Sequence, residues 1–404
     1  MNILSLPERK FMPKKFVLIC LLNFFIAALM GLTLRYANID TIPINYRFLT
    51  HAHSHVAMLG WVYLILYTLF YYYFTNSNTL VFKRLFWITE ISVLGMMFSF
   101  PFQGYAAISI AFSTLHIFCS YYFVFLIWKH QNISSKPVVY LLKTAMVFML
   151  ISTIGVWCLG PIVSTLGQVS VFYKIAIQFF LHFQFNGWVL IGVLTLLFYF
   201  LNIKESPLFK WFLCLIILAT ILTFALPVHW FIPHKIFLWF NGLGILFQLI
   251  TLLILFKIIK NNLSFRFENE PKIITYTLVF TLFCYVIKTV LQSVLLIPEI
   301  ATNFYIHQNF IIGFIHFLML GVITGFIFVF LFMSKFLQAS KANTIGLICF
   351  LIGFITTEVL LILQGYFYYF KLTPITNFRE ILFIASVFLP VAIGIFLVHN
   401  FKLK

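Results

Sequence analysis

Charged residues are scarce in this sequence, and acidic residues are the scarcest of them. Only 9% of the 404 residues are charged, and 9 Asp and Glu stand against 26 Lys and Arg. Hydrophobic residues make up 63% of the chain. A soluble globular domain has about 25% charged residues. The composition therefore excludes a soluble protein and predicts a polytopic membrane protein.

Cysteine is also sparse, and no two cysteines have the spacing of a metal-binding pair. The chain has six cysteines, none of them in a C-x2-C pair, and each falls inside an apolar run. This pattern excludes a disulfide framework and a cysteine zinc site. The net charge of +17 does not indicate nucleic-acid binding, because the basic residues lie in short loops between apolar runs.

Long apolar runs dominate the rest of the chain. An apolar layer of ~30 Å needs ~20 helical residues, and by that length the chain divides into twelve candidate transmembrane helices. Their approximate limits are residues 16–37, 50–74, 84–104, 107–128, 138–161, 175–200, 208–229, 236–258, 274–297, 307–333, 343–370 and 380–400. The connections between them are too short for a soluble domain.

Lys and Arg are unevenly divided between the two sides of the predicted bundle. Eighteen fall in the two termini and the loops on the same side, and six fall in the opposite loops. Loops rich in Lys and Arg stay in the cytoplasm. We therefore expect a multi-pass protein of the inner (cytoplasmic) membrane, embedded in the lipid bilayer, with both termini in the cytoplasm.

A histidine followed five residues later by a glycine occurs at the same place in the second, sixth and tenth predicted helices. The period is therefore four helices. The sequence predicts an all-α polytopic membrane protein with about 12 transmembrane helices. It forms one transmembrane domain over residues 1–404, with pseudo-repeats at roughly 16–128, 138–258 and 274–400. The repeated pairs are His55 with Gly60, His182 with Gly187 and His316 with Gly321.

Most of the histidines are predicted to lie in the outer half of the membrane. Ionisable groups inside membrane helices are costly and usually face the bundle interior, and neutral imidazole is a common ligand of iron, copper and zinc. An interior hydrogen bond would explain any single buried histidine. A set of histidines at one depth in the membrane favours ligation of a metal or a haem. The eight residues are His51, His53, His55, His182, His229, His234, His307 and His316.

Helical geometry predicts how neighbouring histidines are directed. At 100° per residue, His51 and His55 share a face, whereas His53 points to the opposite side. His229 and His234 would diverge in a straight helix, but Pro233 breaks the helix and lets His234 fold back. The glycines of the repeat permit either close packing of helices or the approach of a flat macrocycle.

This arrangement resembles a known superfamily. Three groups of four helices, with inward histidines on helices 2, 6, 7 and 10, look like subunit I of the haem–copper oxidases, which include the nitric oxide reductases. The chain is also similar to the NnrS family, twelve-helix haem- and copper-containing membrane proteins linked to nitric oxide stress. The run from His53 to Trp61 is similar to the His-x-His-x4-Gly-Trp run of oxidase helix 10, although it lies here in helix 2.

The resemblance implies ligands, cofactors and partners. His55 and His316 would bind a haem of b-type, and His307 is a second haem candidate. An electron-donor protein or other respiratory subunits would be partners. Asn186 stands where the oxidases have a tyrosine that supplies an electron and a proton, so we expect slow or absent dioxygen reduction. The implied copper ligands are His182, His229 and His234.

Charged and amide side chains within the predicted helices are the remaining candidate functional residues. The charged side chains could form a proton path or an interhelical ion pair. The lysines could instead extend to the membrane interface. They are Glu90, Lys143, Lys288 and Glu358. Gln103 and Gln364, in two similar Gln-Gly-Tyr helix ends, are expected to hydrogen-bond ligand imidazoles.

Two classes of function fit these patterns. The first is a haem or copper protein that binds or reduces a diatomic gas in respiration or nitric oxide chemistry, or that handles metal. The second is a transporter for a small solute or metal, with a cavity lined by histidines, Gln103, Gln364 and Asn186. A transporter should have helices interrupted near mid-membrane. The prolines of helices 3 and 7 lie instead towards the outer ends, which favours the redox protein.

Overall fold

The computed structural model describes residues 13–75, 80–267 and 270–402. In that part of the chain, twelve helices are long and apolar enough to cross a membrane, and no β-strand is present. We number these spans in chain order. They are α1 Lys14–Tyr36, α2 Tyr46–Phe74, α3 Leu80–Gln103, α4 Ala107–His130, α5 Lys136–Leu166, α6 Val171–Phe200, α7 Pro207–His229, α8 Lys235–Lys260, α9 Lys272–Val294, α10 Gln308–Met333, α11 Lys341–Tyr369 and α12 Phe378–Phe401.

The predicted all-α polytopic fold is confirmed, and every predicted span limit lies within five residues of the observed one. Two helical additions were not predicted. The eighth helix continues beyond its span to Phe267, and a short helix, Pro298–Ile306, precedes α10. The basic residues Arg9, Lys10 and Lys404, which entered the prediction of orientation, lie outside the described residues.

Capping residues explain where two of the three helices with the repeated histidine begin. The side chain of Asn45 accepts hydrogen bonds from the backbone N–H groups of Arg47 and Phe48 at the start of α2. The side chain of Ser170 accepts one from the backbone N–H of Tyr173 at the start of α6. Asn and Ser are favoured there because they satisfy donors that the first helical turn leaves unpaired. Local sequence therefore determines where the histidines lie along these helices.

The chain divides into two compact units. The first contains the described residues of Met1–Asn132, Leu331–Thr357 and Asn377–Lys404. Within it α1 packs against α12, and α2 and α4 both pack against α3. The second unit comprises Ile133–Phe330 and Glu358–Thr376. Within it α5 packs against α6, α7 against α8, and α9 against the middle of α10.

The three spans that carry the repeated histidine are the most buried ones. In their most apolar stretches 78% of α2, 94% of α6 and 78% of α10 is buried, against 50% or less in each of the other nine spans. The repeated histidines therefore lie on interior helices, where an ionisable side chain is costly unless it has a partner or a function.

Candidate functional site

The three repeated histidines share a local structure. Each is the last residue of an α-helical segment and is followed directly by a π-helix. This form of helix is rare in proteins, and where it occurs it is often at a functional site. The π-helices are Val56–Tyr63, Phe183–Val189 and Phe317–Thr324. Each lies near the middle of its span. The repeat found in the sequence is thus also a repeat of backbone conformation.

Two glycines of the π-helices allow neighbouring helices to pack closely. A Cβ atom on Gly60 would lie 2.9 Å from Val93 Cγ1 and 3.0 Å from Asn23 Cβ. A Cβ atom on Gly187 would lie 2.7 Å from Phe148 Cβ. Because the separations of 2.9 Å and 2.7 Å are shorter than real Cβ contacts, close helix packing explains the two glycines.

In the first unit, His51 and His55 share one face, as predicted. The Nδ1 atom of His55 lies 2.8 Å from the carbonyl oxygen of His51, and Nε2 lies 3.3 Å from the hydroxyl oxygen of Tyr105. The ring of His51 contacts Tyr105 with centroids 4.7 Å apart, and that of His55 contacts Phe100 at 4.5 Å. Since a carbonyl only accepts, Nδ1 of His55 carries the proton and Nε2 has the lone pair.

His53 projects to the other side of α2, which confirms the predicted division between two faces. Its Nδ1 atom lies 2.8 Å from the carbonyl oxygen of Ala27 in α1. Gly31 leaves room for the ring, because a Cβ atom there would lie 2.9 Å from His53 Cε1. His53 therefore ties α2 to α1, while His51 and His55 face the turn after α3.

His116 of α4 belongs to the same unit and was not singled out from the sequence. It is only 4% exposed, and its ring meets the ring of Tyr63 edge-on with centroids 4.6 Å apart. Its Nε2 atom has no hydrogen-bond partner in the described part of the chain. A buried imidazole nitrogen in this state is costly, which makes His116 a further candidate. The sequence signal for it was a single histidine within an apolar span.

In the second unit, His182 is buried and directs a nitrogen at the backbone of α7. Its Nε2 atom lies 2.7 Å from the carbonyl oxygen of Thr220. The α-helical segment of α7 ends at Leu222, and the last four carbonyl groups of a helix have no partner within it. The Nε2 atom of His182 therefore donates its proton to one of these carbonyl groups. In this arrangement Nε2 has no free lone pair with which to bind a metal.

Polar side chains follow His182 in the π-helix of α6. Gln184 accepts a hydrogen bond of 2.9 Å from the hydroxyl of Ser152. Asn186 is buried, and its Nδ2 atom lies 3.5 Å from the carbonyl oxygen of His182. Its Oδ1 atom has no hydrogen-bond partner among the residues described. The middle of α6 thus holds a buried acceptor in need of a donor.

His229 and His234 meet through the ring of the first and the backbone of the second, and His234 is exposed. The Nδ1 atom of His229 lies 3.2 Å from the carbonyl oxygen and 3.3 Å from the backbone nitrogen of His234. His229 and Pro233 border a cavity of about 210 Å³ together with Trp230 and Tyr305. Burial raises the pKa of the Tyr305 phenol, so its hydroxyl group stays protonated at neutral pH.

The geometry does not assemble the implied copper ligands. Within residues 13–75, 80–267 and 270–402, no three His, Cys, Asp or Glu side chains form a group that can hold a metal ion. His229 and His234 are adjacent, but His182 does not complete a trio with them. We therefore derive no copper chemistry from these three residues.

The two remaining histidines of the set flank the first part of α10. His307 separates the short helix from α10, and its ring lies 6.1 Å, between centroids, from each of Phe310 and Tyr369. His316 is partly buried and precedes the π-helix of α10. The pairing of His316 with His55 on one haem stays a prediction.

The four charged residues within helices have different surroundings. Glu90 accepts a hydrogen bond of 2.8 Å from Asn23 Nδ2, which also lies 3.2 Å from the carbonyl oxygen of Gly60. Lys143 is exposed near the start of α5, as expected for a snorkelling lysine. Lys288 and Glu358 are both buried.

We expected Gln103 and Gln364 to hydrogen-bond histidine side chains, but in the described part of the chain neither of them does. The Oε1 atom of Gln364 accepts a hydrogen bond of 3.0 Å from the backbone N–H of Ile375, in the loop after α11. The Nε2 atom of Gln103 has no hydrogen-bond partner in the described ranges. The similar Gln-Gly-Tyr ends of α3 and α11 therefore do not have the same role.

These features define a class: an all-α polytopic membrane protein with three interior spans, each interrupted by a π-helix after a histidine. Comparison with known proteins assigns it to no narrower group, since no family model matches the chain and no curated protein is significantly similar to it. Its function is therefore argued from its own residues.

Proposed function

We propose that the protein is a membrane haem protein with His55 as an axial ligand, which binds a diatomic gas or transfers electrons in respiratory or nitric oxide-related chemistry. The observation that carries this proposal is the imidazole of His55. Its Nδ1 atom donates to the carbonyl of His51, 2.8 Å away. Metal-binding histidines commonly donate their second ring nitrogen to a carbonyl in this way, because that bond sets the tautomer and the ring orientation.

Two aromatic side chains next to His55 suit a flat apolar cofactor. They are Phe100 and Tyr105, whose ring centroids lie 4.5 and 5.8 Å from that of His55. The hydroxyl of Tyr105 contacts Nε2 at 3.3 Å, so ligation needs this hydroxyl to move away. A bound haem would supply an iron atom that takes up an electron or a gas molecule.

The visible spectrum of the purified protein, reduced minus oxidised, tests this proposal. We expect a haem Soret band that His55→Ala abolishes. His399→Ala is the matched control, because Nε2 of His399 already lies 2.9 Å from the Ser340 hydroxyl, and it should keep the band. Absence of haem from the wild type despite adequate haem supply, or an unchanged spectrum in His55→Ala, would show that the assignment is wrong.

Two further variants and a metal analysis define the ligand set. If His316 is the second axial ligand, His316→Ala abolishes the band as His55→Ala does. If His116 is bound instead, His116→Ala has that effect. Copper remains the alternative cofactor of the proposal, and metal analysis of the purified wild type measures its content.

Transport of a small solute or metal is the second candidate function, and the π-helices favour it. Transporters hold their substrates where helices are interrupted near mid-membrane. The three π-helices lie near the middle of their spans, and Asn186 in one of them has a buried Oδ1 atom without a partner in the described residues. A purified protein without haem that moves solute across proteoliposomes would support this function and contradict the first.

We infer that the protein lies in the inner membrane with both termini in the cytoplasm, and that a separate electron donor is its partner. Reporter fusions test the orientation. We expect residues 204–210 on the cytoplasmic side and residues 298–305 outside. The reverse result would place the histidines in the inner half of the membrane and contradict the proposed site.

A further inference from the structure

The second unit contains an elongated cavity of about 270 Å³ that runs along the last turns of α11. Its lining residues there include Glu358, Ile362, Tyr366 and Phe370. They are four residues apart and therefore form one stripe along the helix. From the first to the last of them the stripe is ~18 Å long at 1.5 Å per residue. One leaflet of the hydrocarbon layer is ~15 Å thick, half of the ~30 Å that a span crosses, so the cavity is about as long as one leaflet is deep.

The wall of this cavity is apolar almost throughout. The residues that face α11 include Leu295 of α9 and Phe310, Phe314 and Phe317 of α10. The carboxyl oxygens of Glu358 are inaccessible, so this residue contributes only the hydrocarbon part of its side chain. Water does not fill an apolar cavity, because it needs two to four polar partners. An empty cavity forfeits van der Waals contacts along its wall, and an apolar ligand would restore them.

The cavity opens towards the bilayer. Val294 of α9 and Ile362 of α11 belong to its wall, and they are 40% and 41% exposed. Both residues lie within membrane spans, where the surroundings of an exposed side chain are lipid. The apolar groups that reach this opening are therefore acyl chains.

Shape and volume also favour a chain over a compact ring system. A cavity of roughly 150 Å³ accepts benzene, which has six carbon atoms. In the same proportion, the cavity of about 270 Å³ accepts roughly ten carbon atoms. Ten carbon atoms in a row match an elongated cavity, and they are the greater part of one acyl chain.

A positive charge lies at the end of the cavity that is nearest to the membrane surface. Tyr366 and Tyr369 of its wall lie in the last turn of α11, and tyrosine is frequent at the level of the lipid headgroups. Lys371 follows two residues beyond the end of the span and is exposed. Its ammonium group forms no ion pair with any described residue. Lysines in this position attract the phosphate groups of anionic lipids.

We propose that this cavity is a phospholipid site. It holds one acyl chain of an anionic phospholipid, whose phosphate group pairs with Lys371, while the second chain stays in the bilayer. The site does not depend on a haem at His55.

Native mass spectrometry of the full-length protein tests the proposal. The protein is delipidated in detergent and titrated with dipalmitoyl phosphatidylglycerol, and the lipids bound per chain are counted. We expect one lipid to bind distinctly more tightly than all others. Dihexanoyl phosphatidylglycerol at the same mole fraction in the micelles should bind at least about fivefold more weakly, because its chains leave part of the cavity empty. Dipalmitoylglycerol, which has no phosphate, should also bind about fivefold more weakly.

Two variants and a matched control assign the lipid to this cavity. Val294→Trp fills the opening and should weaken the first site at least about tenfold, because the added ring occupies the space of the chain. Val290→Trp is the control, since Val290 lies one turn earlier on α9, is 50% exposed and does not line the cavity. Lys371→Asn should weaken phosphatidylglycerol about fivefold and leave dipalmitoylglycerol unchanged. Asparagine tolerates the φ of 54° at this position.

Several results would overturn the proposal. A series of equal lipid additions without a tight first site would show that the cavity holds only bulk lipid. A first site that survives Val294→Trp, or that Val290→Trp weakens equally, would place the lipid elsewhere. Unchanged affinity for phosphatidylglycerol in Lys371→Asn would contradict the role of the phosphate. A quinone or another non-phospholipid that co-purifies and resists displacement by phosphatidylglycerol would identify a different occupant.

Discussion

The same motif has different chemical environments in α2 and α6. In both spans a histidine ends an α-helical segment, a π-helix follows, and a glycine packs against a neighbouring helix. In α2 the Nδ1 atom of His55 donates to a carbonyl of its own helix, which leaves the Nε2 lone pair towards Tyr105. In α6 the Nε2 atom of His182 donates to the Thr220 carbonyl of another helix.

This difference shows that a repeated histidine is not by itself a repeated ligand. The tautomer of an imidazole is determined by the acceptor that its protonated nitrogen finds, and that acceptor differs between the two units. The Nε2 atom of His55 therefore keeps a lone pair, whereas that of His182 donates to the end of the α7 helical segment.

Removal of each histidine provides the largest contrast. We expect His55→Gly to lose the haem Soret band completely and to regain it with free imidazole, which replaces the missing ligand. His182→Gly should keep the band, because its Nε2 atom is engaged with Thr220. Spectra of the two variants, matched for folded protein by size-exclusion chromatography, check this. Loss of the Soret band in both variants would show that His55 and His182 are equally necessary for haem binding.

Addition of a methyl group to the π-helix glycines should destabilise α6 more than α2. A Cβ atom on Gly187 would overlap with Phe148 Cβ, an atom next to the backbone, whereas on Gly60 its nearest neighbour is the outer methyl Cγ1 of Val93. We expect Gly187→Ala to lower the free energy of unfolding by about 1–3 kcal/mol, and Gly60→Ala by less.

Equilibrium unfolding in mixed micelles measures this effect. Gly160→Ala in α5 is the control, because nothing lies within 4 Å of its added Cβ atom. That variant should be neutral or more stable. Equal stability of Gly187→Ala and Gly160→Ala would contradict close packing at the π-helix.

Truncation of His182 should be more costly than truncation of His53. Without His182 the carbonyl of Thr220 is left buried near the end of its helical segment, at a cost of about 1–2 kcal/mol. The carbonyl of Ala27 lies within the interior of its helix, so His53→Ala leaves it with the helical hydrogen bond. The same unfolding assay compares the two. A greater loss for His53→Ala would contradict the capping role of His182.

The smallest effect is expected at Asn186. Because its Oδ1 atom has no hydrogen-bond partner in the described structure, the near-isosteric Asn186→Leu should change the free energy of unfolding by less than about 1 kcal/mol, or increase it. A large loss of stability would show that the side chain has a partner, such as a bound solute. That outcome would favour the transporter over the haem protein.

The sequence by itself determined the number of spans, their limits and the faces of the histidines on α2. These follow from the length of apolar runs and from 100° per residue, which are properties of one segment at a time. It also located all three π-helices indirectly, since His-x4-Gly coincides with each of them. It did not reveal their conformation, because an uninterrupted apolar run has no signal for an extra residue per turn.

Only the tertiary structure decided what each side chain does. The acceptor for His182 is a carbonyl freed by the end of a helical segment in α7, and Gln364 binds the loop after its own helix instead of an imidazole. The cavity at Glu358 is formed by segments up to 79 residues apart in the chain. Hydrogen bonds and cavities of this kind depend on which backbones meet, and that is decided by the packing of distant segments.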